Sequence, residues 1–441
     1  MIRAGRGPSR RRLIGPIVLV AALAVGAGVL SLQGRGGTTG TPGQSQTPTS
    51  GFSGGVVDPG PPTGPPPKPK HEVYGFIPYW EMDADLPDHI RQTDLTTVGL
   101  FSVTNSTDGS LRTNQIGYKR ITSAVGESII SAAHDRGTRV EIVYSSFGAQ
   151  KNRTFYDRPK AQARWIADIV AFVAAQKLDG INVDVEALPP DLVPANGAFV
   201  GELRAALVKQ VPKAQLSVAT QGNEVGAAMA AAAAQAGADR IFLMGYDYRV
   251  GGSQPGATSP IARTDGEPKD LVWSLDLYAA LGVPVDRTIL GLPLYGMTWP
   301  VVGPMVGASS TGRGTIWVPR QNLRVFQAPS FAPTYEPTES VEFYSVPSSA
   351  SAASSARPAP SSASAAGSAA ALPSGSESPS GGWNAVYYDS PRSLTPKLAL
   401  ADARGLAGAG FWAIGYERGL PGYTELIATF KAGKLASTPT P

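Results

Sequence analysis

The chain has 441 residues, 42% of them hydrophobic and 16% charged, which is enough for one large folded domain with appendages. It contains no cysteine, which excludes disulfides, thiolate metal sites, a cysteine nucleophile and an acylated lipobox cysteine. The formal charge of +4 is local: residues 1–70 hold eight Lys or Arg against Asp58 alone, leaving 30 basic and 33 acidic groups in residues 71–441, so no nucleic-acid surface is indicated.

Arg3, Arg6, Arg10, Arg11 and Arg12 precede an uncharged run from Leu13 to Leu32, long enough to span a bilayer. With the arginines held on the cytoplasmic side, everything after Leu32 lies outside. Residues 1–33 are therefore expected to be a single-pass anchor in the cell membrane. The alternative is a secreted chain, with a signal peptide cleaved near Ala22-Leu23-Ala24, but the apolar run exceeds the usual ~7–15 residues of such signals. Residues 34–70 are rich in Gly, Ser, Thr and Pro, a composition that cannot bury a core and is expected to be a spacer between membrane and domain.

From His71 the chain alternates strand-like and helical runs, the pattern of β/α units around a parallel sheet. Eight strands are expected, near Val73–Tyr79, Thr97–Val103, Arg139–Tyr144, Gly180–Glu186, Gln215–Thr220, Arg240–Tyr246, Thr288–Pro293 and Gly410–Gly415. A helix is expected over Ala161–Gln176, with Trp165, Ile169 and Phe172 at helical spacing. Eight such units in residues 71–433 predict a (β/α)8 TIM barrel with its active site at the C-terminal strand ends. An open doubly wound sheet is the runner-up, and it would want a Gly-rich phosphate loop that the sequence does not contain.

The fourth strand carries the chemistry. Asn182, Asp184 and Glu186 alternate with Ile181, Val183 and Val185, so the three polar groups share one face. Gly180 lets the chain turn into the strand, and Pro189-Pro190 ends regular pairing near the loop-facing mouth. Carboxylates two apart on one strand have Cα atoms about 7 Å apart and lie on the same side of a bound sugar. A retaining glycosidase with an enzyme nucleophile needs the second carboxylate on the opposite face, about 5 Å across from the acid. The pair suits substrate assistance instead, in which Glu186 protonates the leaving oxygen and the sugar's own 2-acetamido oxygen attacks, steadied by Asp184. The bland alternative is a half-buried strand whose polar side only faces water.

Asp179-Gly180-x-x-x-Asp184-x-Glu186 resembles the active-site signature of family 18 glycoside hydrolases, the chitinase-like enzymes. The resemblance implies that Glu186 is the acid and that Asp184 assists the acetamido group. Most chitinases of the family carry Asp where this chain has Asn182, and the Gly-Ile-Asn-Val-Asp-Val-Glu form looks more like the spore-cortex and cell-wall peptidoglycan hydrolases. An amide can hydrogen-bond Asp184 but cannot share a proton with it.

Other strand ends carry the resemblance further. Strand one ends Pro78-Tyr79-Trp80, strand three runs into Ser145-Ser146-Phe147-Gly148, and strand six ends Met244-Gly245-Tyr246-Asp247. Tyr246 and Asp247 match the family's Met-x-Tyr-Asp motif, which implies that they help to hold the acetamido group. Trp412 matches the tryptophan that floors the sugar site, and Tyr79, Trp80, Tyr295 and Trp299 are further substrate-binding candidates. The resemblance also implies a small insertion between strands seven and eight, placed at residues 297–345 in reduced form. Residues 347–381 are a low-complexity Ser/Ala/Pro/Gly loop expected to be disordered and exposed, order returns at Trp383 before the last helix, and residues 434–441 read as a tail.

His71, His89 and His134 share no ligand spacing, so no metal is expected, and no cofactor. Ser145 and Ser146 lack a nucleophile elbow and a base, which disfavours a serine hydrolase. The sequence thus predicts a monomeric glycosidase acting by retention on N-acetylglucosamine-containing polysaccharide, peptidoglycan or chitin-type. The rival is an inactive glycan-binding protein of the same fold at the cell surface.

Overall fold

In the computed structural model, residues 70–348 and 382–435 are described. The apolar run at 13–32, the spacer before Lys70, residues 349–381 of the low-complexity segment and residues 436–441 of the tail lie outside them. Among the described residues no helix is long and apolar enough to cross a membrane.

Seven strands come first: β1 (Glu72–Pro78), β2 (Thr97–Val103), β3 (Arg139–Phe147), β4 (Gly180–Glu186), β5 (Gln215–Gln221), β6 (Arg240–Met244) and β7 (Thr288–Pro293). Each pairs in parallel with the next. Helices such as Pro159–Ala175 and Val193–Gln210 return the chain between strands, and the expected helical stripe is buried at Trp165, Ile169 and Phe172. The alternation along the strands decides which residues face the barrel axis. Val140, Ile142 and Tyr144 of β3 and Ile181, Val183 and Val185 of β4 pack outward in the layer shared with the helices. Tyr74, Phe76, Val143 and Phe242 pack together inside. Burying side chains of this size contributes roughly 1.5–3 kcal/mol each, so the two layers fix the inward register of every strand.

Beyond β7 a second sheet follows: β8 (Gly296–Val301), β9 (Thr315–Trp317), β10 (Thr334–Glu336), β11 (Val341–Pro347) and β12 (Trp383–Tyr388). Its strands are antiparallel, in the order β10-β11-β12-β8-β9. The insertion is therefore larger than the 297–345 expected. The stretch from Trp383, read from sequence as the approach to the last helix, is its central strand, paired with β11 on one side and β8 on the other. Pro347 pairs with Trp383, so the low-complexity segment joins two neighbouring strands whose ends already meet, where added loop length costs little. After the helix Pro391–Ala403, β13 (Gly408–Trp412) pairs with both β7 and β1 and closes the (β/α)8 barrel.

Three strand ends fall short of the sequence reading. The first stops at Pro78 rather than Tyr79, the sixth at Met244 rather than Tyr246, just before Asp247 turns to φ 61°, and the eighth spans Gly408–Trp412 rather than Gly410–Gly415.

Candidate active site

Because Ile181, Val183 and Val185 face the helices, Asn182, Asp184 and Glu186 point into the barrel in successive layers toward its C-terminal mouth. Asn182 is fully buried, Asp184 nearly so, and Glu186 is half-buried at the top. The end of β4 is pinned from β3 and the helix that follows it. Asn152 Nδ2 donates to the Glu186 carbonyl at 2.7 Å, and Ser146 Oγ donates to Asn152 Oδ1 at 2.7 Å. Held this way, the Glu186 side chain is aimed by backbone rather than by a mobile loop.

Glu186 and Asp184 line a cavity of about 640 Å³. Burial, helped by the nearby Asp247 charge, pushes the Glu186 carboxyl up to about 7. Burial and then the Glu186 charge push Asp184 well above the usual carboxylate range. The two carboxyls therefore hold a proton between them at pH values where exposed carboxyls are bare, which is what a general acid at neutral pH requires. Gln221 Nε2 reaches Glu186 Oε2 at 3.4 Å, a long contact that leaves the carboxyl free to turn.

The opposite wall comes from the strand ends of β6 and β7. Tyr246 faces the cavity, and burial together with the charges of Asp184, Asp247 and Glu186 raises its phenol far above the ordinary value, so it keeps its proton and can donate it in a hydrogen bond. Asp247 Oδ1 accepts the Tyr295 hydroxyl at 2.5 Å and the Thr258 hydroxyl at 3.4 Å, and burial raises its carboxyl. The Trp412 indole also borders the cavity and is propped edge-on by Phe101, with centroids 4.8 Å apart, and tilted against Phe76 at 5.5 Å. A flat indole held by aromatic neighbours offers a rigid platform for the C–H face of a pyranose.

Other residues singled out in the sequence sit elsewhere. Trp299 is completely buried in the core of the insertion sheet with Met297, Val341 and Phe343, so it is not a substrate subsite. Its indole needs Gly314, where a Cβ would stand 2.4 Å from Nε1. Trp80 does not border the cavity. It donates Nε1 to the Tyr416 hydroxyl at 3.0 Å and stands edge-on behind Trp412 at 6.4 Å, with Tyr79 edge-on at 4.9 Å. Asp179 lies at the other end of β4, where Oδ2 accepts Val140 N and meets His134 Nε2, both at 2.8 Å. It staples strands rather than touching ligand. Gly180 is required by close approach, since a Cβ there would stand 2.1 Å from the Gln215 carbonyl oxygen. Asn182 makes no hydrogen bond to Asp184, and its Nδ2 donates to Ser217 Oγ at 2.7 Å.

Sequence reasoning passed over Glu141, Ser217 and Gln221. The signal was present for Glu141, a charged residue between Val140 and Ile142 in register with Val143 and Ser145, which places it inside the barrel. It also passed over the loop after β6, from which Tyr248, Arg263, Asp265 and Lys269 border the cavity.

The family profile described as glycosyl hydrolases family 18 matches residues 68–417. The di-N-acetylchitobiase of Rattus norvegicus is 25% identical over 356 residues, which cover 75% of this chain and 84% of the rat protein. Chitinase C of Streptomyces lividans is 27% identical over 298 residues, 62% of this chain and 42% of that protein. The spore cortex-lytic enzyme SleL of Bacillus cereus superposes with a TM-score of 0.60 at 17% identity, over 82% of this chain and 74% of that one, a likeness of fold. With a closed eight-stranded barrel, the paired carboxyls at the mouth of β4 and a profile match over most of its length, this chain belongs to the glycosyl hydrolases of family 18 and is a glycosidase.

Proposed function

We propose that the enzyme cleaves β-1,4 bonds beside N-acetylglucosamine-type sugars with retention, using the substrate's own acetamido group, and that its polymer is peptidoglycan in preference to chitin-type oligosaccharides. The carrying observation is Glu186, held up to about 7 at the cavity mouth, with the buried Asp184 two residues behind it on the same inward face.

In this reading Glu186 gives its proton to the glycosidic oxygen as the bond to the anomeric carbon breaks. The acetamido carbonyl oxygen closes on that carbon from the opposite face to form an oxazolinium. Asp184 accepts the acetamido N–H and balances the charge that develops there, and Tyr246 donates to the carbonyl oxygen, so attack starts from fixed geometry. Trp412 supports the ring, while Tyr295 and Asp247 hold the wall. Glu186, now a carboxylate, takes a proton from water, whose oxygen attacks the anomeric carbon and reopens the ring. Two inversions leave the configuration retained.

Residues 1–33 anchor the chain in the membrane, 34–70 space the barrel of 71–433 away from it, and the glycan is met outside the cell. The preference for peptidoglycan rests on Asn182 and on that wall-facing placement. The deciding experiment is mass spectrometry of the products that the full chain releases from peptidoglycan and from chitin oligosaccharides, with Glu186→Gln as the blank. New reducing-end N-acetylglucosamine on muropeptides supports the proposal. Cleavage of chitin oligosaccharides alone assigns the other polymer. Undiminished cleavage of a substrate carrying 2-amino in place of 2-acetamido overturns the mechanism.

A further inference from the structure

Among the described residues a single side-chain hydrogen bond reaches the Glu186 carboxyl, and its polarity is fixed from outside the site. Gln221, at the end of β5, brings its amide Nε2 to 3.4 Å from Glu186 Oε2. The nitrogen and oxygen of an amide are told apart by their partners, and here a backbone group decides. Asn223 caps the helix Glu224–Gln235, its Oδ1 accepting the N–H of Gly226 at 2.9 Å. A backbone N–H only donates, so the Asn223 atom facing it is oxygen and the other is Nδ2. That Nδ2 donates to Gln221 Oε1 at 3.3 Å, which leaves Gln221 Nε2 for Glu186.

The frame under these donors is rigid. The Gln221 carbonyl accepts the Tyr278 hydroxyl at 2.8 Å and Asn223 N at 2.9 Å, and the Gly222 carbonyl accepts Ser274 Oγ at 3.0 Å. The first turn of the helix lies directly on the strand end, since a Cβ at Gly226 would stand 1.9 Å from the Gln221 carbonyl oxygen. Gln221 and Asn223 both border the cavity beside Glu186. An amide NH2 has only protons to offer, so Glu186 Oε2 must accept, and a proton on the carboxyl belongs on Oε1. At 3.4 Å the contact selects an oxygen without locking the carboxyl.

We propose that Gln221 is a positioning residue for hydrolysis: held by Asn223, it presents Nε2 to Glu186 Oε2, so the proton for the leaving group sits on Oε1 and the carboxylate left behind meets an N–H. This rests on the glycosidase reading above and adds to it which oxygen carries the proton. The ionisable groups facing Glu186 are Asp184 on β4 and Tyr246 and Asp247 beyond β6. On the β5 side the helix carries Glu224, paired with Lys269 at 3.1 Å, and the loop after β6 adds Arg263, Asp265 and Glu267 to the cavity wall. None of these is changed in the variants below.

The test uses the full chain with Asn223→Asp, Gln221→Met and the double variant. Aspartate caps a helix as well as asparagine, so the fold and melting temperature should be kept. Its second oxygen can only accept, so the Gln221 amide reverses, gives Nε2 to residue 223 and turns Oε1 to Glu186. The proton then moves to Oε2, away from the leaving group. On the glycan that the parent cleaves, peptidoglycan or a chitin oligosaccharide, kcat should fall about 10-fold with KM near parental. An N–H on a carboxylate favours the charged form, so its loss in either single variant should move the basic limb of kcat/KM up by about half to one pH unit. With no amide to turn, the double variant should match Gln221→Met alone. An unchanged kcat and limb in Asn223→Asp overturn the proposal, and so do losses that multiply in the double variant, because a direct effect of the new charge predicts that result. A second readout needs no turnover. Carbon-13 titration of carboxyl-labelled glutamate, with Glu186→Gln to assign the signal, should place Glu186 higher in Gln221→Met than in the parent, and an unmoved titration overturns the hold. If no form cleaves either glycan, the glycosidase reading fails while this titration still decides whether Gln221 holds Glu186.

Discussion

Tyr295 donates its hydroxyl to Asp247 Oδ1 at 2.5 Å, and Asp247 receives it from a left-handed backbone at φ 61°. The bond ties the end of β7 to the end of β6, and the Thr258 hydroxyl holds the same residue, accepting Asp247 N at 3.0 Å and donating to Asp247 Oδ1 at 3.4 Å. A non-glycine residue in that region costs about 1 kcal/mol or more, so the surrounding bonds must outweigh it. They do so beside Glu186, whose carboxyl the Asp247 charge helps to raise.

Tyr295→Phe should therefore act on the acid through Asp247. The Tyr295 hydrogen bond lowers the Asp247 carboxyl against the larger effect of burial, so its loss favours the neutral form. A neutral Asp247 no longer props up the Glu186 proton. The expected result is a roughly 10-fold or greater drop in kcat, as for loss of a hydrogen bond to a charged group, with the basic limb of the pH profile displaced to lower pH. Steady-state rates across the pH range check this, and an unmoved basic limb refutes it.

Glu186→Gln separates the catalytic role proposed for this carboxyl from its cost to stability. A carboxyl raised from 4.5 to about 7 in the folded state holds its proton where the unfolded chain has released it. The group therefore costs nothing below about pH 4.5, destabilises increasingly as pH rises from 4.5 to 7, and exerts its full cost above that. Activity should fall as pH climbs through 7, when the acid loses its proton. The glutamine variant should be nearly inactive yet more stable at pH 8 by about 2 kcal/mol, with the gain vanishing near pH 4. Thermal unfolding at both pH values measures it, and a pH-independent difference would contradict the assignment of Glu186 as the raised group.

Much of this was readable in the residues themselves. The predicted bounds of β2, β4 and β7 match the observed strands: in β4 the β-branched Ile181, Val183 and Val185 alternate without interruption, and β2 and β7 are short, largely apolar runs of strand length. The inward face of β4 followed from the same alternation. The insertion was cut short because β12 lies beyond a low-complexity segment that carries no hydrophobic period, so nothing local links it to β11. Trp299 was misread because an indole at alternate spacing looks the same whether its face meets a groove or, as here, the core of a second sheet. Glu141 was overlooked because one carboxyl in an apolar strand acquires its meaning only from Ser217 and Gln215 on β5, a strand that pairs with β4 rather than β3.

Gly180→Ala is a test of the motif residue that has no chemistry. A Cβ 2.1 Å from the Gln215 carbonyl oxygen meets backbone, which cannot step aside without parting β4 from β5. The substitution should cost about 2–3 kcal/mol of stability and displace the face that carries Asp184 and Glu186. A melting temperature equal to that of the parent would show that the strands separate freely.

The two tryptophans give the sharpest contrast. Trp412 borders the cavity on a bed of Phe76 and Phe101, whereas Trp299 is sealed in the insertion against Gly314 and edge-on to Tyr387 at 6.0 Å. Trp412→Ala removes the platform and should weaken glycan binding by about 1–3 kcal/mol, roughly the scale of an aromatic contact at a recognition site, so KM should rise more than stability falls. Trp299→Ala empties the centre of a core and should cost about 3–5 kcal/mol of stability. Whatever fraction remains folded should bind with near-parental KM, because the barrel mouth does not use that indole. Titrating both variants with a chitin oligosaccharide and melting them in parallel separates the two roles, and a KM defect in Trp299→Ala at a temperature where it is fully folded would return that residue to the substrate groove.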